Sequence, residues 1–346
     1  GGSLKQGLDM IQGLKDDGEQ IELDLLDVSE MRDDAYAVMV AGLGSPVAML
    51  DPDMPRFGPD AVFAYRAFQK AFAAEGKKLE YLYSGEMGGF NTFTPMLVAI
   101  LSDKDPAKRI KFVDADGNGR AVPELNTTIN AFYDHPPKPM GMGSLYGDEI
   151  IVYPTTDHSG EQIARQMCML YNMRIGFATW GMNKEEITNI LDVGCVTKAQ
   201  KIGKAILTAK ETGSDVMDEL KKAFEVREFC RGTIEKLDLR AEGGFDFGTT
   251  VIKGDDGHTY YIDFKNENLI LRDEKGDTIM TAPEGIGMID LNNCFPLTNA
   301  DTKEGMRVLV TMTPAHPNWW DEDHKAYTCW LPELKKVGMK GDQVRY

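Results

Sequence analysis

The sequence is short of the residues that build disulfide frameworks and zinc sites. Its 346 residues include only five cysteines and five histidines, and no CxxC, HxH or HExxH spacing occurs among them. The pattern therefore favours neither a disulfide-stapled fold nor a transition-metal site defined by spacing. No run of about 18 apolar residues is present, so the sequence predicts no transmembrane helix. These absences fit a reducing compartment, and we expect a cytoplasmic protein.

Positive charge is also scarce. The chain carries 38 Lys and Arg against 55 Asp and Glu, a net charge of −17 at pH 7. A surface of that sign repels the phosphates of nucleic acids and anionic lipids, so we expect neither a nucleic acid nor a membrane as partner. The apolar fraction of 42% is ordinary for a folded protein, and the length indicates two domains.

The first part of the chain alternates between strand patterns, glycine-bearing turns and amphipathic helices. A helix is predicted over 3–17 with Ser3 as its N-cap. Strand patterns occur in "AYAVMVAGLGSP", "LEYLYS" and "RIKFVDADGNG", and each leads into a loop that contains glycine. Such alternation predicts an α/β layer, and ligands of open α/β sheets bind beyond the carboxyl ends of the strands. The loops "GLGSP", "SGEMGGFN" and "DADGNGR" are therefore expected to share one rim.

The character of the chain changes towards its end. Residues 160–225 are interpreted mainly as helices, and from Val226 onwards short β-type runs are joined by Gly and Asp turns. We predict an α/β protein with two domains. Residues 1–225 form an α/β layered domain that carries the glycine and acidic loops, and residues 226–346 form a smaller, β-rich domain.

The stretch "KFVDADGNGRAVPELNTT", residues 111–128, looks like half of a calcium-binding loop. Asp114, Asp116, Asn118 and Gly119 occupy positions 1, 3, 5 and 6 of an EF-hand, but position 12, which requires Glu, is Leu125. The preceding segment also has a strand pattern where an EF-hand has a helix. Two interpretations are left open: a tight turn in which aspartates bond local amides, and an active-site loop.

Several separated motifs resemble one family. They are "VDADGNGRAVPELNTT", "GEMGGFNTFTP", "KNENLILRDEKGDTIMTAPEGIGMID" and "FPLTNADTKEGMRVLVTMTPAHPNWW". In this order they resemble the S-methyl thiohydantoin desulfurase family, which is often encoded beside hydantoinase/oxoprolinase-type proteins. The opening "GGSLKQGLDMI" is similar to the end of the family's glycine-rich first motif, which indicates that earlier residues are missing.

The resemblance implies an enzyme that removes sulfur from C2 of a thiohydantoin or its S-methyl form and leaves a hydantoin. This is a hydrolysis, which needs a base for water and donors for developing charge. The expected catalytic carboxylates are Asp114, Asp116 and Glu86. The expected substrate-binding residues are small, amide or charged: Gly1, Gly2, Ser3, Gly88, Gly89, Asn91, Asn118, Arg120, Glu124, Asn266, Glu267 and Asn268.

Two alternatives to this hydrolase remain open. The chain is then either a non-catalytic partner of a hydantoinase/oxoprolinase enzyme or a hydrolase that opens a related cyclic amide. The expected partner is a small heterocyclic substrate, and the protein partners considered are a second copy of this chain and a hydantoinase/oxoprolinase-type enzyme. No cofactor and no metal are predicted.

Overall fold

The computed structural model describes residues 2–44, 54–133, 135–242 and 245–346. It divides into two compact units, Gly1–Val196 and Thr197–Tyr346. None of the described helices is long and apolar enough to cross a lipid bilayer.

The first unit is built on a mixed sheet. Its described strands are β1 (Leu25–Leu26), β2 (Tyr36–Gly44), β3 (Leu79–Ser84), β4 (Lys111–Asp116), β5 (Met140–Gly143), β6 (Glu149–Val152), β7 (Arg174–Asn183) and β8 (Asp192–Val193). They follow the order β1-β4-β3-β2-β7-β5-β6, and β8 pairs with β4. The first four strands in that order are mutually parallel, whereas β7 runs antiparallel to β2. The carboxyl ends of β2, β3 and β4 therefore lie side by side.

Helices cover this sheet and build its core. They are α1 (Leu4–Asp16), α2 (Pro59–Ala74), α3 (Phe93–Ser102), α4 (Asp157–Leu170) and α5 (Lys184–Ile190). One apolar cluster joins α1, α2 and α3 to the parallel strands, with Phe68, Leu97, Val38, Leu82 and Phe112 all buried. The predicted helix at 3–17 is confirmed, and Ser3 is its N-cap.

Glycines let α2 lie directly on the strands. A Cβ at Gly143 or Gly176 would lie 2.2 or 2.3 Å from the backbone oxygen of Asp60, which is closer than real Cβ atoms come. Beside this contact the guanidinium of Arg174 forms a buried ion pair with Asp60 at 3.2 Å. The small residues therefore fix the depth at which α2 packs.

The second unit combines an antiparallel sheet with helices. Its described helices are α6 (Cys195–Thr212, which begins at the end of the first unit), α7 (Val216–Ala223) and α8 (Leu331–Lys336). Its described strands are β9 (Arg227–Glu242), β10 (Phe245–Gly254), β11 (Thr259–Lys265), β12 (Glu267–Arg272), β13 (Thr278–Thr281), β14 (Gly285–Asp290), β15 (Phe295–Pro296) and β16 (Arg307–Thr313). They follow the order β13-β12-β11-β10-β9-β16-β14-β15 with antiparallel pairing throughout the described strands.

The predicted fold class, an α/β domain followed by a β-rich domain, is confirmed. Ala209 of α6 and Leu220 of α7 pack with Ile289 and Leu309 of the antiparallel sheet. The division between the compact units falls at Val196, within the first turn of α6. The domain boundary predicted after residue 225 stays a prediction.

Residues 160–225 are mainly helical, as predicted, but the sequence analysis did not identify one strand between these helices. Residues 174–183 form β7, a long buried strand that pairs with β2 in the middle of the sheet. Its run of apolar and small residues, "RIGFATWGMN", is typical of a strand buried on both faces, and such a run shows no alternation of polar and apolar residues.

Candidate functional site

Hydrogen bonds join the loops that follow β3 and β4. The backbone N–H of Gly117 donates to the carbonyl oxygen of Ser84 at 2.8 Å. The Asn118 side-chain amide donates to the carbonyl oxygen of Gly85, also at 2.8 Å. These loops therefore share a rim at the carboxyl ends of the parallel strands. Residues 45 and 46 of the loop "GLGSP" lie outside the described residues.

The end of β2 is tied to the same rim through Asn91. The side-chain oxygen of Asn91 accepts from the N–H of Gly42 at 2.8 Å, and its amide group donates to the Gly42 carbonyl oxygen at 3.3 Å. The Asn91 side chain thus pairs with both backbone groups of one residue, as a neighbouring strand would. These two hydrogen bonds connect the end of β2 to the loop that follows β3.

A cavity of about 60 Å³ lies at this rim. Strands β2 and β7 contribute Met39, Ala41, Gly42, Leu43, Phe177 and Trp180 to its wall. The loops after β3 and β4 contribute Gly85, Glu86, Asn91, Asn118, Val122, Pro123, Glu124, Leu125 and Thr128. Four of the residues predicted from sequence therefore line one cavity: Glu86, Asn91, Asn118 and Glu124.

Glu86 is the predicted catalytic carboxylate that lines the cavity. One of its oxygens accepts from the Asn91 amide at 2.7 Å, and the other accepts from the backbone N–H of Val122 at 2.8 Å. Because the two donors belong to different loops, the carboxylate is held in one orientation from both sides. Charge-assisted hydrogen bonds of this kind are stronger than neutral ones.

Asp116 is buried directly behind the cavity wall. Its Oδ1 accepts from the N–H groups of Asn118 at 2.9 Å and Gly119 at 2.6 Å. Burial raises the pKa of the Asp116 carboxyl to about 7, although these N–H donors and the Ser84 hydroxyl oppose the shift and Asp192 adds to it. Asp116 therefore fixes the turn that presents Asn118, and it titrates near neutral pH.

The turn after β4 follows the first of the two interpretations left open by the sequence. Asp116 bonds local amides, and Gly119 has a φ of +67°, a conformation that favours glycine. Among the described residues no group of three His, Cys, Asp or Glu side chains is placed to hold a metal ion. The second interpretation also receives support, because Asn118 and Glu124 reach the cavity from the same loop.

The structure places Asp114 away from the cavity wall. Its Oδ1 accepts from the N–H of Val196 at 2.8 Å, and its carbonyl oxygen accepts from the N–H of Gly194 at 2.8 Å. Asp114 thus holds Gly194 and Val196, at the end of the first unit, against β4. The role that these contacts support is structural.

Asn118 and Arg120 differ in what they contact. Asn118 accepts from the N–H of Ile129 at 3.1 Å in addition to its bond to Gly85, so it ties two segments of the rim together. Arg120 donates through Nε to the carbonyl oxygen of Ala121 at 3.1 Å and is not among the residues of the cavity wall. Its predicted contact with a substrate carboxylate stays a prediction.

The predicted glycines of the first motifs meet at the start of α1. The N–H of Gly89 donates to the carbonyl oxygen of Gly2 at 3.1 Å, and a Cβ on Gly89 would lie 2.3 Å from the Leu4 nitrogen. Ser3 uses its hydroxyl to cap the helix by accepting from the N–H of Gln6. Gly88 donates to the Thr92 hydroxyl at 3.0 Å, and Gly1 lies outside the described residues. These residues support the loop that carries Glu86 and Asn91.

The cluster Asn266, Glu267 and Asn268 belongs to the second unit: Asn266 lies between β11 and β12, and Glu267 and Asn268 are the first residues of β12. Asn266 has a φ of +55°, and its side-chain oxygen accepts from the N–H of Asp246 at 2.9 Å. The Asn268 amide donates to the carbonyl oxygen of Ile286 at 3.0 Å. These contacts fit a tight turn, and a role in substrate binding stays a prediction.

Sequence reasoning missed the wall that β7 supplies. Trp180 is 3% exposed, and its carbonyl oxygen accepts from the Tyr83 hydroxyl at 2.8 Å. Phe177, three residues earlier in β7, is also buried. The sequence feature that could have identified this wall is the apolar run of residues 174–183. Once this run is recognised as a central strand, it places Phe177 and Trp180 beside the loops.

Two family models together match most of the chain. Residues 1–154 match the model of the S-Me-THD-like N-terminal domain, and residues 155–332 match that of the S-Me-THD-like C-terminal domain. The chain belongs to the S-Me-THD-like family. The resemblance of its motifs to the S-methyl thiohydantoin desulfurases is thereby confirmed.

A solved structure shares the fold of this chain. A crystal structure of a protein from Chromobacterium violaceum superimposes with a TM-score of 0.81 at 22% identity, covering 100% of this chain and 93% of that one. At this identity the similarity extends to the fold alone. None of the curated proteins compared with the chain matches it.

Proposed function

We propose that this S-Me-THD-like protein hydrolyses the C2–sulfur bond of a thiohydantoin or an S-methyl thiohydantoin. Water adds to C2, an sp² carbon between two nitrogens, and forms a tetrahedral intermediate. Loss of sulfide from the thiohydantoin, or of methanethiol from the S-methyl form, then restores a trigonal carbon as the C2 carbonyl of a hydantoin. The oxygen and two hydrogens of water are thus divided between the ring product and the sulfur product.

The observation that carries the proposal is the position of Glu86 on the cavity wall. Its carboxylate is oriented by donors from two loops, at 2.7 Å from Asn91 and 2.8 Å from Val122. A carboxylate in this position is suited to accept a proton from water as the water attacks. Family membership supports the choice of a thiohydantoin as the substrate.

The remaining wall suits a small, flat and partly polar ring. Met39, Leu43 and Phe177 supply apolar surface, and the side chains of Asn91, Asn118 and Glu124 add polar groups. A water molecule needs roughly 10–15 Å³ of such space, so 60 Å³ corresponds to about four to six waters.

Asp116 has a supporting role in this proposal. It holds the N–H groups of Asn118 and Gly119 and so positions the loop that contributes Asn118 to the cavity. Its substitution acts on the ring through that loop, whereas substitution of Glu86 removes the proposed base itself. In this proposal Asp116 positions the loop, and Glu86 accepts the proton.

The test is turnover by purified protein. We expect release of sulfide from thiohydantoin propionate, or of methanethiol from its S-methyl form, together with a product that has the mass of the hydantoin. Failure of demonstrably folded protein to turn over either compound contradicts the proposal. The two alternatives give other outcomes. A product that gains water and keeps its sulfur indicates ring opening. Co-purification with a hydantoinase/oxoprolinase-type enzyme without any turnover indicates a non-catalytic partner.

A further inference from the structure

Trp180 sits at an irregularity of the central sheet. Ala37 of β2 pairs with Met182 of β7, and Met39 pairs with Thr179. Two residues of β7, Trp180 and Gly181, therefore face the single residue between Ala37 and Met39, which is a β-bulge. Bulges re-aim side chains and are enriched next to active sites.

The backbone of Trp180 is also strained. Its φ is +55°, in the left-handed region that bulky residues rarely occupy. The fully buried Tyr83 hydroxyl donates to the Trp180 carbonyl oxygen at 2.8 Å and holds this conformation. Strain of this kind persists where the surrounding structure over-determines it, and it clusters at functional sites.

The indole N–H of Trp180 is buried. The side chain is 3% exposed, and no described residue accepts a hydrogen bond from its Nε1. Buried indole N–H groups usually have a partner. Trp180 is one of the residues of the cavity wall, and an acceptor atom brought against its indole from the cavity would satisfy this N–H.

We propose that the Trp180 indole N–H donates a hydrogen bond to an acceptor atom of the bound heterocycle and that Trp180 is a specificity-determining residue. This inference rests on the proposed function, because it takes a hydantoin-type ring as the ligand. The bulge, the left-handed φ and the Tyr83 hydrogen bond fix the backbone at Trp180, a residue of the cavity wall. A ring whose acceptor atoms are removed then leaves the N–H desolvated and unpaired, which weakens its binding.

The primary test observes the indole directly in wild-type protein. Hydantoin propionate, the product expected from the proposed reaction, is titrated into protein labelled with ¹⁵N at tryptophan. The Trp180 Nε1–H signal is assigned by through-bond experiments. We expect this signal to move downfield at saturation because its proton enters a hydrogen bond. An unmoved signal at saturation, with binding verified by calorimetry, overturns the inference and leaves the proposed function standing.

A variant gives the second measurement. Trp180→Phe keeps an aromatic ring and removes the N–H, and we expect it to raise the Kd for hydantoin propionate about tenfold. Tyr153→Phe is the control, because it removes a polar hydrogen from an aromatic side chain that is 58% exposed. Wild-type affinity in folded Trp180→Phe contradicts the inference. If that variant does not fold, the wild-type signal decides alone.

Folded wild-type protein that neither binds the hydantoin nor releases sulfur contradicts the proposed function and this inference together.

Discussion

The carboxylate of Glu86 accepts a hydrogen bond from the backbone N–H of Val122 at 2.8 Å. The two residues are far apart in sequence, and their contact joins the loop after β3 to the loop after β4. The other carboxylate oxygen is held by Asn91 at 2.7 Å, and Asn91 itself pairs with the backbone of Gly42 at the end of β2. One glutamate side chain thus connects the ends of three parallel strands.

Glu86→Gln tests whether this carboxylate transfers protons. We expect kcat for sulfide or methanethiol release to fall by at least about a hundredfold, which is typical for loss of a general base. The amide keeps the size of the side chain, so circular dichroism is expected to show an intact fold. Glu22→Gln, which changes an exposed glutamate, is the control and is expected to keep wild-type kcat. Glu86→Gln with more than about a tenth of wild-type activity assigns Glu86 to a structural role.

The sequence predicts the rim well because local patterns encode it. Each of the strands ending at Gly44, Ser84 and Asp116 is an apolar run followed by a glycine-bearing loop. Parallel pairing then brings the loops to one edge. The residue types needed at such an edge follow from the chemistry, which explains why Glu86, Asn91, Asn118 and Glu124 are found together on the cavity wall.

The partner of each side chain is not encoded locally. Asp114 and Asp116 are two residues apart and look equivalent in sequence, yet one binds the N–H of Val196 and the other fixes its own turn. Likewise, Trp180 reaches the cavity only because β7 is inserted antiparallel to β2 and carries a bulge. Both outcomes depend on long-range pairing, which a single sequence does not specify.

The raised pKa of Asp116 predicts that the contribution of this group to stability falls as the pH rises. Burial raises its pKa from 3.8 to about 7, so between these values the folded protein binds a proton that the unfolded chain has lost. The contribution of this group to stability is therefore present at low pH and is lost as pH rises towards and past 7. The full loss is on the order of 4 kcal/mol, at about 1.4 kcal/mol for each pKa unit.

Asp116→Asn removes this titration. We expect the free energy of unfolding of the variant to increase relative to that of wild type between about pH 5 and about pH 8, because only wild type loses stability from this group as the pH rises. Urea unfolding of both proteins at several pH values measures the difference. A difference that is constant over this range shows that Asp116 does not titrate there.

Gly89 controls how closely the start of α1 approaches the loop that carries Glu86. A Cβ at this position would lie 2.3 Å from the Leu4 nitrogen and 2.4 Å from the Ser3 carbonyl carbon, both backbone atoms that cannot rotate away. We expect Gly89→Ala to destabilise the protein by about 1–3 kcal/mol or more and to lower activity by displacing the loop. Thermal unfolding and kcat/KM are the measurements.

Gly203→Ala is the matched control for this substitution. Gly203 lies within α6, and a Cβ there meets no atom within 4 Å. Alanine favours a helix over glycine, so this variant is expected to be neutral or stabilised by up to about 1 kcal/mol. Equal destabilisation by both variants means that the close approach at Gly89 is not the cause.

Lys265 and Glu333 form a buried ion pair in the second unit. Both side chains are 1% exposed, and Nζ of Lys265 lies 2.6 Å from the carboxylate. Lys265→Met removes the charge and keeps much of the volume. Among the described residues, Lys336 at 2.7 Å is then the remaining cationic partner of the buried Glu333. We expect a loss of about 3 kcal/mol in the free energy of unfolding, at the lower end for a broken buried pair because Lys336 remains.

The double variant Lys265→Met/Glu333→Leu distinguishes the cost of a stranded charge from the loss of an attraction. If the stranded carboxylate is the cause, the double variant is expected to recover part of the loss, because neither charge is then buried. Lys236→Met is the control: its pair with Asp238 is 59% exposed on each side, so we expect a change below about 1 kcal/mol. Urea unfolding of the four proteins provides the comparison, and a double variant no more stable than Lys265→Met shows that desolvation of Glu333 does not dominate.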